Sequence, residues 1–542
     1  MPQRSNRSRI HPAAIAIILL MLGGSAVVVY QVSGTGDLPW TDELPWAETD
    51  PFEGLDEVIR AQLVGDSTGY ALLNGERITL HPKVAQFYLA RAYAPAWTDV
   101  TARDTLVALL RATADVGLDP EDYHATSLQR RGGMTVADSI GSLADQDLLL
   151  THAVFALADD LSGPRVDVDE LYGSNWFATH RTLRADTLLA AALADPYPAA
   201  AVAQAIERLH PQHPGYRALR AMVAHQRSLV DREDWPTILP GRAIAPGDTS
   251  ALVPALRDRM RLEGLTLPHL TGPAQMVYDD LLAGAVRTFQ AGHGFEADGV
   301  ISQVTREALN TRPTGDIIPL LTLNLERWRW LPENFGDLHV LINIPSYELT
   351  VRERNGDAYT ENFRMNTVVG RRSWATPVFS DTMTQIVFNP TWTIPASIQM
   401  ESYGRVNPRG MVRDPGPSNP MGRVKFLFPN DHAIIIHDTP SRWAFSQNQR
   451  AYSHGCIRAH EAGRLAEEIL TRTNGWTVED VEARFNGPWR LQNVELDRPV
   501  PVHLVYFTAW VSANGQLQTY GDVYGHDAKL AEALGIELGV HG

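Results

Sequence analysis

The sequence predicts a multidomain α+β protein, with a mostly helical N-terminal part followed by a mainly β C-terminal domain. The length of 542 residues allows several domains, and a hydrophobic share of 44% is ordinary for folded protein. Apolar residues recur at helical spacing in the first part, as at Leu106, Leu109 and Leu110. Short β-branched runs separated by Gly, Pro, Asn and Asp are typical of strands in the second part.

A basic segment followed by an apolar run opens the chain. Three arginines within residues 1–9 precede the apolar residues 13–30. This run is short for a spanning helix but long for a signal-peptide core, and no clear Ala-x-Ala cleavage site follows it. We therefore predict a cytoplasmic tail at 1–12 and a transmembrane anchor at 13–31, with a cleaved signal as the alternative. Because the basic flank stays cytoplasmic, everything after the run is predicted to be exported, either tethered to the membrane or released after cleavage.

Two helical regions follow this segment. Acidic residues, prolines and glycines predict a solvated linker at 32–51, before a helical scaffold domain at 52–240. Within that domain, residues 148–161 form an apolar stretch of helical length. The scaffold contains no residue constellation that suggests chemistry, so structural support is its expected role.

A small helical bundle is predicted at 241–312. Val253, Leu256 and Met260 fall on one helix face, and a second apolar stripe occupies residues 278–289. Ser302 is the expected N-cap of a last short helix.

The region 313–542 has the composition of a strand-rich domain. Strands are predicted at 340–344, 347–351, 385–388 and 434–436. Residues 393–430 contain six prolines and four glycines and are expected to form a long loop-like insertion, which in a compact domain is usually functional. Its basic residues either form a solvated face or bind an acidic substrate, and they are Arg405, Arg409, Arg413, Arg423 and Lys425.

The only cysteine of the chain is Cys456, within Ser453-His454-Gly455-Cys456-Ile457-Arg458. It has no partner for an intramolecular disulfide. A lone cysteine is more often a small buried hydrophobe, but here glycine permits close approach and most flanking residues are polar or cationic. This pattern favours a reactive thiol.

A nucleophilic thiol requires a base within hydrogen-bonding reach. His437, at the exit of the predicted strand 434–436, is the best candidate, and His454 and His460 are rivals by spacing. These side chains and Cys456 could also bind zinc, but the absence of CxxC or HExxH spacing disfavours a metal.

Several segments together resemble the L,D-transpeptidases with a YkuD-type catalytic domain, and in particular their YcbB-like branch. The segments are His437-Asp438-Thr439-Pro440, 450–458, Val369-Gly370, Thr376-Pro377, 388–392 and 419–426. The resemblance implies a β-sandwich-like catalytic fold with the cysteine loop between its sheets and a capping subdomain at about 393–430. Similarly, Phe289-Gln290, 298–301 and 305–310 resemble the peptidoglycan-binding type 1 fold, with glycan binding and a spacer role both open.

The resemblance also implies a mechanism. Cys456 attacks the carbonyl of the third residue, a diamino acid, in a tetrapeptide stem and expels the terminal D-alanine. His437 acts as general base and acid and is oriented by the backbone carbonyl of Asp438, while backbone N–H groups at His454, Gly455 and Cys456 form the oxyanion hole. The amine of a second stem then resolves the thioester into a 3→3 crosslink.

The acceptor and the substrate-binding residues are less determined. Water as acceptor would make an L,D-carboxypeptidase, and a lipoprotein lysine would make an anchoring enzyme. A non-catalytic wall-binding scaffold protein is a further alternative. Arg458 either fixes a substrate carboxylate or pairs within its loop, and Ser453, Arg423 and Trp392 are further candidates for substrate binding.

The expected partners follow from these assignments. Peptidoglycan stem peptides are the expected substrate, and enzymes of cell-wall synthesis or hydrolysis are candidate protein partners. The resemblance also implies that the exported part acts in the periplasm, with the N-terminal helix in the inner membrane or, after cleavage of a signal, released from it. A formal net charge of −16 makes nucleic acid an unfavourable partner. No cofactor or metal is expected, and carbapenems are expected to acylate the thiol.

Overall fold

The computed structural model describes residues 52–64, 69–131, 139–230, 232–293, 295–312, 314–356 and 358–539. The predicted tail, anchor and linker lie outside these residues. Within the described ranges, no helix is both long enough and apolar enough to cross a membrane. The described residues from Gly54 onward form one compact unit.

Helices dominate the region predicted to be a scaffold. Its longest helix contains the predicted apolar stretch at 148–161 and begins at the N-cap Ser139, whose hydroxyl accepts from the Ser142 amide. The elements are α1 (Leu55–Val64), β1 (Tyr70–Leu73), β2 (Glu76–Thr79), α2 (Pro82–Ala90), α3 (Val100–Arg111), α4 (Ala125–Arg131), α5 (Ile140–Ser162), α6 (Val168–Tyr172), α7 (Ala185–Leu193), α8 (Pro198–Leu209) and α9 (Pro214–Val230).

The middle bundle consists of α10 (Val253–Leu262), α11 (Asp280–Gly292) and α12 (Gln303–Asn310) around its own apolar core. Ser302 caps α12 as predicted, because its hydroxyl accepts from the Thr305 amide at 3.3 Å. Gln290 is buried, donates to Asp298 Oδ1 at 2.9 Å and accepts from the Gly299 amide at 2.8 Å. The residues that carried the peptidoglycan-binding resemblance therefore hold the turn of this bundle in place.

The helix α13 (Ile317–Arg329) follows the bundle and carries buried cations. Arg327 pairs with Asp527 at 2.6 Å, and Arg329 pairs with Glu326 at 2.6 Å. Because each buried guanidinium has a carboxylate partner, the cost of removing these charges from water is offset.

The C-terminal region is built on one sheet. Its strands, and those of two small hairpins, are β3 (Leu338–Asn343), β4 (Glu348–Asn355), β5 (Ala358–Gly370), β6 (Phe379–Phe388), β7 (Trp392–Thr393), β8 (Val412–Arg413), β9 (Val424–Leu427), β10 (Ile436–His437), β11 (Ala451–Ser453), β12 (Ile457–Ala459), β13 (Gln492–Val505), β14 (Ala509–Val511) and β15 (Leu517–Thr519). The helices are α14 (Ala396–Tyr403), α15 (Ala462–Thr473), α16 (Val478–Phe485) and α17 (His526–Leu534).

The strand order differs from the expected β-sandwich. The order β11-β5-β12-β10-β9-β6-β13-β3-β4 is continuous, and β4 also pairs with β5. The long strand β5 has different neighbours at its two ends, so it joins both ends of the sheet and closes it. A single closed sheet thus replaces the two facing sheets that the resemblance implied.

The predicted insertion at 393–430 is also shorter than expected. α14 and the β7–β8 hairpin belong to it, and we call 393–423 the cap. The next residues, Val424–Leu427, instead pair with both β6 and β10 inside the main sheet. The alternating burial of this strand explains the difference, since Val424 and Phe426 enter the core while Lys425 and Leu427 do not.

Candidate active site

Cys456 immediately precedes β12, in the turn that joins β11 to β12. Ile457 pairs in parallel with Ile436 of β10, so the thiol lies beside the residues that lead into β10. Its sulfur is 3.7 Å from the carbonyl oxygen of Ala433, to which the S–H donates. The side chain is half-buried, and this burial raises the pKa of the Cys456 thiol.

A network within the turn fixes the backbone around Cys456. The Ser453 hydroxyl donates to the Cys456 carbonyl at 2.5 Å and accepts from the Gly455 amide at 3.1 Å. The Thr376 hydroxyl donates to the Gly455 carbonyl at 2.7 Å. Gly455 has φ +105°, and a Cβ there would come within 3.0 Å of Ile434 Cδ1. Glycine is therefore required by both the backbone conformation and the available space.

His437 is the second residue of β10 and is buried. Its Nδ1 lies 2.5 Å from the carbonyl oxygen of Asp438. Because a carbonyl only accepts, Nδ1 carries the proton, and Nε2 of the neutral ring is left as an acceptor. Burial lowers the pKa of His437 to about 4, against the opposing effect of the Asp438 hydrogen bond. The imidazole is thus neutral at pH 7 and able to take a proton.

The Asp438 peptide that orients His437 is held on several sides. Its amide donates to Val424 O at 2.9 Å, which extends the strand pairing by one residue. The buried carboxylate accepts from the Arg423 amide at 2.7 Å and pairs with Arg442 at 2.6 Å. Gly422 packs directly against this carboxylate. The carbonyl that orients the imidazole is therefore fixed by contacts on both its main chain and its side chain.

The face of the sheet brings the thiol and the imidazole together. Ile436 and Ile457 both enter the apolar core, so their neighbours in sequence point to the opposite face. His437, Cys456 and Arg458 share that face. Arg458 is half-buried, and its side chain forms no hydrogen bond or ion pair with any described residue.

The remaining predicted residues contact other parts of the protein. Arg423 donates to Asn389 Oδ1 at 3.0 Å and to Gly487 O at 2.8 Å, and it lies 3.6 Å over the Trp489 ring. Trp392 lies in β7, directly before the cap, with the Arg413 guanidinium of the cap 5.8 Å from its ring centre. Ser453 is buried and its hydroxyl is used within the turn.

His454 connects the cysteine turn to the cap. Its Nε2 lies 2.6 Å from Glu401 on α14, and Glu401 also pairs with Arg371 at 2.8 Å. Hydrogen bonds from Arg371 and His454 lower the pKa of the Glu401 carboxyl. Glu401, Thr376 and Gly422 were not among the predicted site residues. Only Thr376 and Gly422 lay in segments that carried the resemblance, and no spacing pattern distinguished Glu401.

The rival base and the metal alternative gain no geometric support in the described residues. The His460 ring lies 4.8 Å from that of Phe445. Across the described ranges, no group of three or more His, Cys, Asp or Glu side chains could hold a metal ion.

Three protein families match successive parts of the chain. The "L,D-transpeptidase catalytic domain" family, known as YkuD, matches residues 337–481. The "Putative peptidoglycan binding domain" family matches 250–309, and the "Scaffold domain" family matches 82–222. The matched order agrees with the order of the regions described above.

Individual proteins are also similar to parts of the chain. A "Putative L,D-transpeptidase" from Haemophilus influenzae is 30% identical over 260 residues, which cover 41% of this chain and 50% of that protein. The chain thus spans about half the length of this curated relative. Among solved structures, an L,D-transpeptidase from Mycobacterium smegmatis is 14% identical, with 31% of this chain and 58% of that chain covered and a TM-score of 0.19. L,D-transpeptidase 3 from Mycobacterium tuberculosis with a faropenem-derived adduct is 17% identical, with 31% and 60% covered and a TM-score of 0.17.

The family matches define the class of protein. It is a multidomain protein with an acyltransferase-type catalytic domain. More specifically, the chain carries a YkuD-type L,D-transpeptidase catalytic domain together with a peptidoglycan-binding domain, as the resemblance predicted. Its assignment to the YcbB-like branch stays a prediction.

Proposed function

We propose that this protein is a peptidoglycan L,D-transpeptidase that forms 3→3 crosslinks through a thioester on Cys456. The observation that carries the proposal is the shared face of β10 and β12. On this face, Cys456, which is the only cysteine of the chain, is on the same side as the buried, neutral imidazole of His437, whose Nε2 is an acceptor. A thiol and a positioned neutral base are the requirements for nucleophilic acyl transfer.

In the first half of the reaction, His437 Nε2 takes the thiol proton as Cys456 Sγ attacks the carbonyl of the diamino acid. The tetrahedral intermediate collapses with cleavage of the C–N bond, and the imidazolium returns the proton to the D-alanine amine. In the second half, the amine of another stem attacks the thioester. His437 accepts a proton from that amine and returns it to the departing sulfur, which regenerates the thiol.

The oxyanion requires free N–H donors. Among the described residues, no acceptor is found for the backbone amides of His454 and Cys456, whereas the Gly455 amide already donates to Ser453. We therefore assign the oxyanion to the amides of His454 and Cys456. Gly455 and Ser453 then shape the turn that presents them.

The acceptor and the cellular setting belong to the same proposal. Peptidoglycan stems are the proposed donor and acceptor, and the middle bundle is proposed either to bind glycan or to act as a spacer. Water or a lipoprotein lysine are the alternative acceptors. We propose action in the periplasm, with residues 13–31 as a membrane anchor or cleaved signal and with the domain boundaries 52–240, 241–312 and 313–542. Enzymes of cell-wall synthesis or hydrolysis remain proposed partners.

The test is incubation of the purified periplasmic part with defined tetrapeptide muropeptides, followed by mass spectrometry of the products. The wild-type protein should release D-alanine and give a 3→3 dimer, whereas C456A should give neither while keeping its thermal unfolding temperature. C456S should be nearly inactive, because a hydroxyl ionises far less readily than a thiol. Meropenem should add covalently to the wild type and not to C456A.

Each outcome distinguishes an alternative. Tripeptide as the only product would identify a carboxypeptidase. If a lysine-containing peptide is present and the donor acylates Cys456 without forming a stem dimer, that peptide is indicated as the acceptor. Turnover or a meropenem adduct that persists in C456A would refute the nucleophile. No reaction at all with wild type would favour the wall-binding scaffold.

A further inference from the structure

Three strands place a row of basic side chains across the face that holds the thiol. His437 of β10 is directly opposite Lys425 of β9 and directly opposite Arg458 of β12. Their neighbours Val424, Phe426, Ile436 and Ile457 enter the apolar core. Alternation therefore puts Lys425, His437 and Arg458 on the opposite face, with Cys456 one position before β12 on the same side.

The side chains of the two cations that flank His437 have no counter-ion among the described residues. Lys425 and Arg458 are half-buried, and the side chain of neither forms an ion pair or a hydrogen bond with any of those residues. Other cations of this region that are not exposed have side-chain partners, as in the ion pairs of Arg327 and Arg371 and the hydrogen bonds of Arg423. A cation that has lost part of its hydration and has no partner in the protein favours binding of an anion.

The nearby carboxylates are already engaged elsewhere. Asp438 accepts from the Arg423 amide and pairs with Arg442, and Glu401 pairs with Arg371 and His454. Burial is the main cause of the lowered pKa of His437, and the positive charges of Arg458 and Lys425 lower it further. Both cations therefore act on the imidazole ring electrostatically. None of the described carboxylates is thus placed to complete this row, which leaves the two cations available to an anion of the substrate.

We infer that Lys425 and Arg458 form a binding site for a carboxylate of the donor stem peptide, immediately beside Cys456. The inference rests on the proposed function, because it places a substrate carboxylate next to the scissile carbonyl. Two carboxylates of a tetrapeptide stem fit this description. One is the free terminal carboxylate of the leaving D-alanine, and the other is the free carboxylate on the side chain of the diamino acid.

Such a site would favour donor stems that keep the bound carboxylate over stems in which that carboxylate has become an amide. If the terminal carboxylate is bound, a pentapeptide stem is disfavoured, because its fourth residue carries an amide in place of the carboxylate. If the side-chain carboxylate is bound, amidation of the diamino acid has the same effect. Removal of one charge-assisted hydrogen bond corresponds to an affinity loss of about ten- to hundredfold.

The first experiment uses a probe that does not depend on transpeptidation. Cys456 is the only cysteine, so iodoacetate and iodoacetamide report on its surroundings with and without a carboxylate. The ratio of the iodoacetate to the iodoacetamide rate should fall about tenfold or more in K425M and in R458M. It should be kept in K425R and in the control K529M, since Lys529 is exposed on α17. A thermal unfolding temperature near that of wild type shows that a variant is folded, and the ratio of the two rates cancels the effect of the Arg458 charge on the pKa of the thiol.

The second experiment identifies the carboxylate. Wild type is offered a tetrapeptide donor as the free acid, as the terminal carboxamide, and with the diamino-acid side chain amidated. The change that lowers kcat/KM for wild type but not for K425M marks the bound carboxylate. An unchanged alkylation ratio in both K425M and R458M overturns the inference. A lowered ratio combined with no turnover of any donor by wild type instead overturns the proposed function and leaves an anion site beside the thiol.

Discussion

A single methyl group at Gly422 should disable the catalytic histidine without touching it. In G422A, the new Cβ would come within 2.5 Å of Asp438 Cγ and 2.6 Å of Asp438 Cβ, with Oδ2 closer still. The carboxylate must therefore move, and its hydrogen bond to the Arg423 amide and its pair with Arg442 are weakened. Since the Asp438 carbonyl holds His437 Nδ1, the imidazole loses its orientation.

The loss of stability in G422A has two parts, the cost of the backbone conformation at residue 422 and the loss of the contacts of the Asp438 carboxylate. Gly422 has φ +61°, so alanine there costs about 1–2 kcal/mol for the left-handed backbone alone. The control is G404A, because Gly404 has φ +65° and a Cβ there would meet nothing within 4 Å. Losing the carboxylate contacts adds about 2–4 kcal/mol in G422A, with the half-exposed Arg442 contributing the smaller part.

The assay compares the two variants in thermal unfolding, in Cys456 alkylation by iodoacetamide at pH 7 and in turnover of the tetrapeptide donor. G422A should unfold at a lower temperature than G404A and turn over about ten- to hundredfold more slowly, because displacement of a catalytic group by about 1 Å is that costly. Equal alkylation and turnover in G422A and G404A would refute the argument that Asp438 orients His437 through its backbone.

Two predictions concern protonation. H437A should be alkylated by iodoacetamide more slowly than wild type at pH 7, and its rate profile should move to higher pH. The reason is that burial raises the pKa of the Cys456 thiol and the variant has no base to take the thiol proton. H460A is the control, and a profile that is unchanged in H437A but shifted in H460A would reassign the role of base to His460. Acid should destabilise the fold between about pH 6.5 and pH 4. Burial lowers the pKa of His437, His503 and His526 to about 4 each, so in this range the unfolded chain takes up protons that the folded chain does not. Thermal unfolding temperatures that stay constant over this range would contradict the prediction.

The helices and the order of regions were predictable because their signals are local. The stripe at 278–289 overlaps α11, the apolar stretch at 148–161 lies in α5, and Ser302 is the cap of α12. These features depend on residues three or four positions apart. The closed sheet was not predictable in the same way, because closure depends on β5 pairing with β4, β11 and β12 at different points along its length. Nothing within a single strand specifies that arrangement.

Strand length also limited the sequence analysis. The run 434–436 suggested a strand that ends before His437, but the structure pairs only Ile436 and His437. Ala433 has φ +54° and the chain there is held by Asn430, whose side chain accepts from the Ile434 amide at 3.0 Å. A β-branched composition therefore indicated burial at Ile434 more reliably than it indicated strand pairing.

Some residues of the candidate site could be predicted from a local sequence motif, whereas others are placed there only by the pairing of distant strands. Cys456, His454, Gly455 and Arg458 lie in one motif, and the His437 carbonyl partner is its immediate neighbour Asp438, so a linear pattern contains them. Lys425 was grouped with the basic residues of the insertion. Its place beside His437 arises only because β9 returns to the main sheet in antiparallel register with β10.

That register also separates Lys425 from the other basic residues of the predicted insertion. Arg423, two positions earlier, is on the same side of an alternating strand, but its guanidinium donates to Asn389 and Gly487 and stacks on Trp489. Arg413 lies in the cap and donates to Ser418 O. Among these three, only Lys425 has no partner in the described residues and a catalytic residue as its strand neighbour. A count of charges could indicate an affinity for acidic substrates, but only the pairing of strands identifies the charge placed to contact one at the reacting bond.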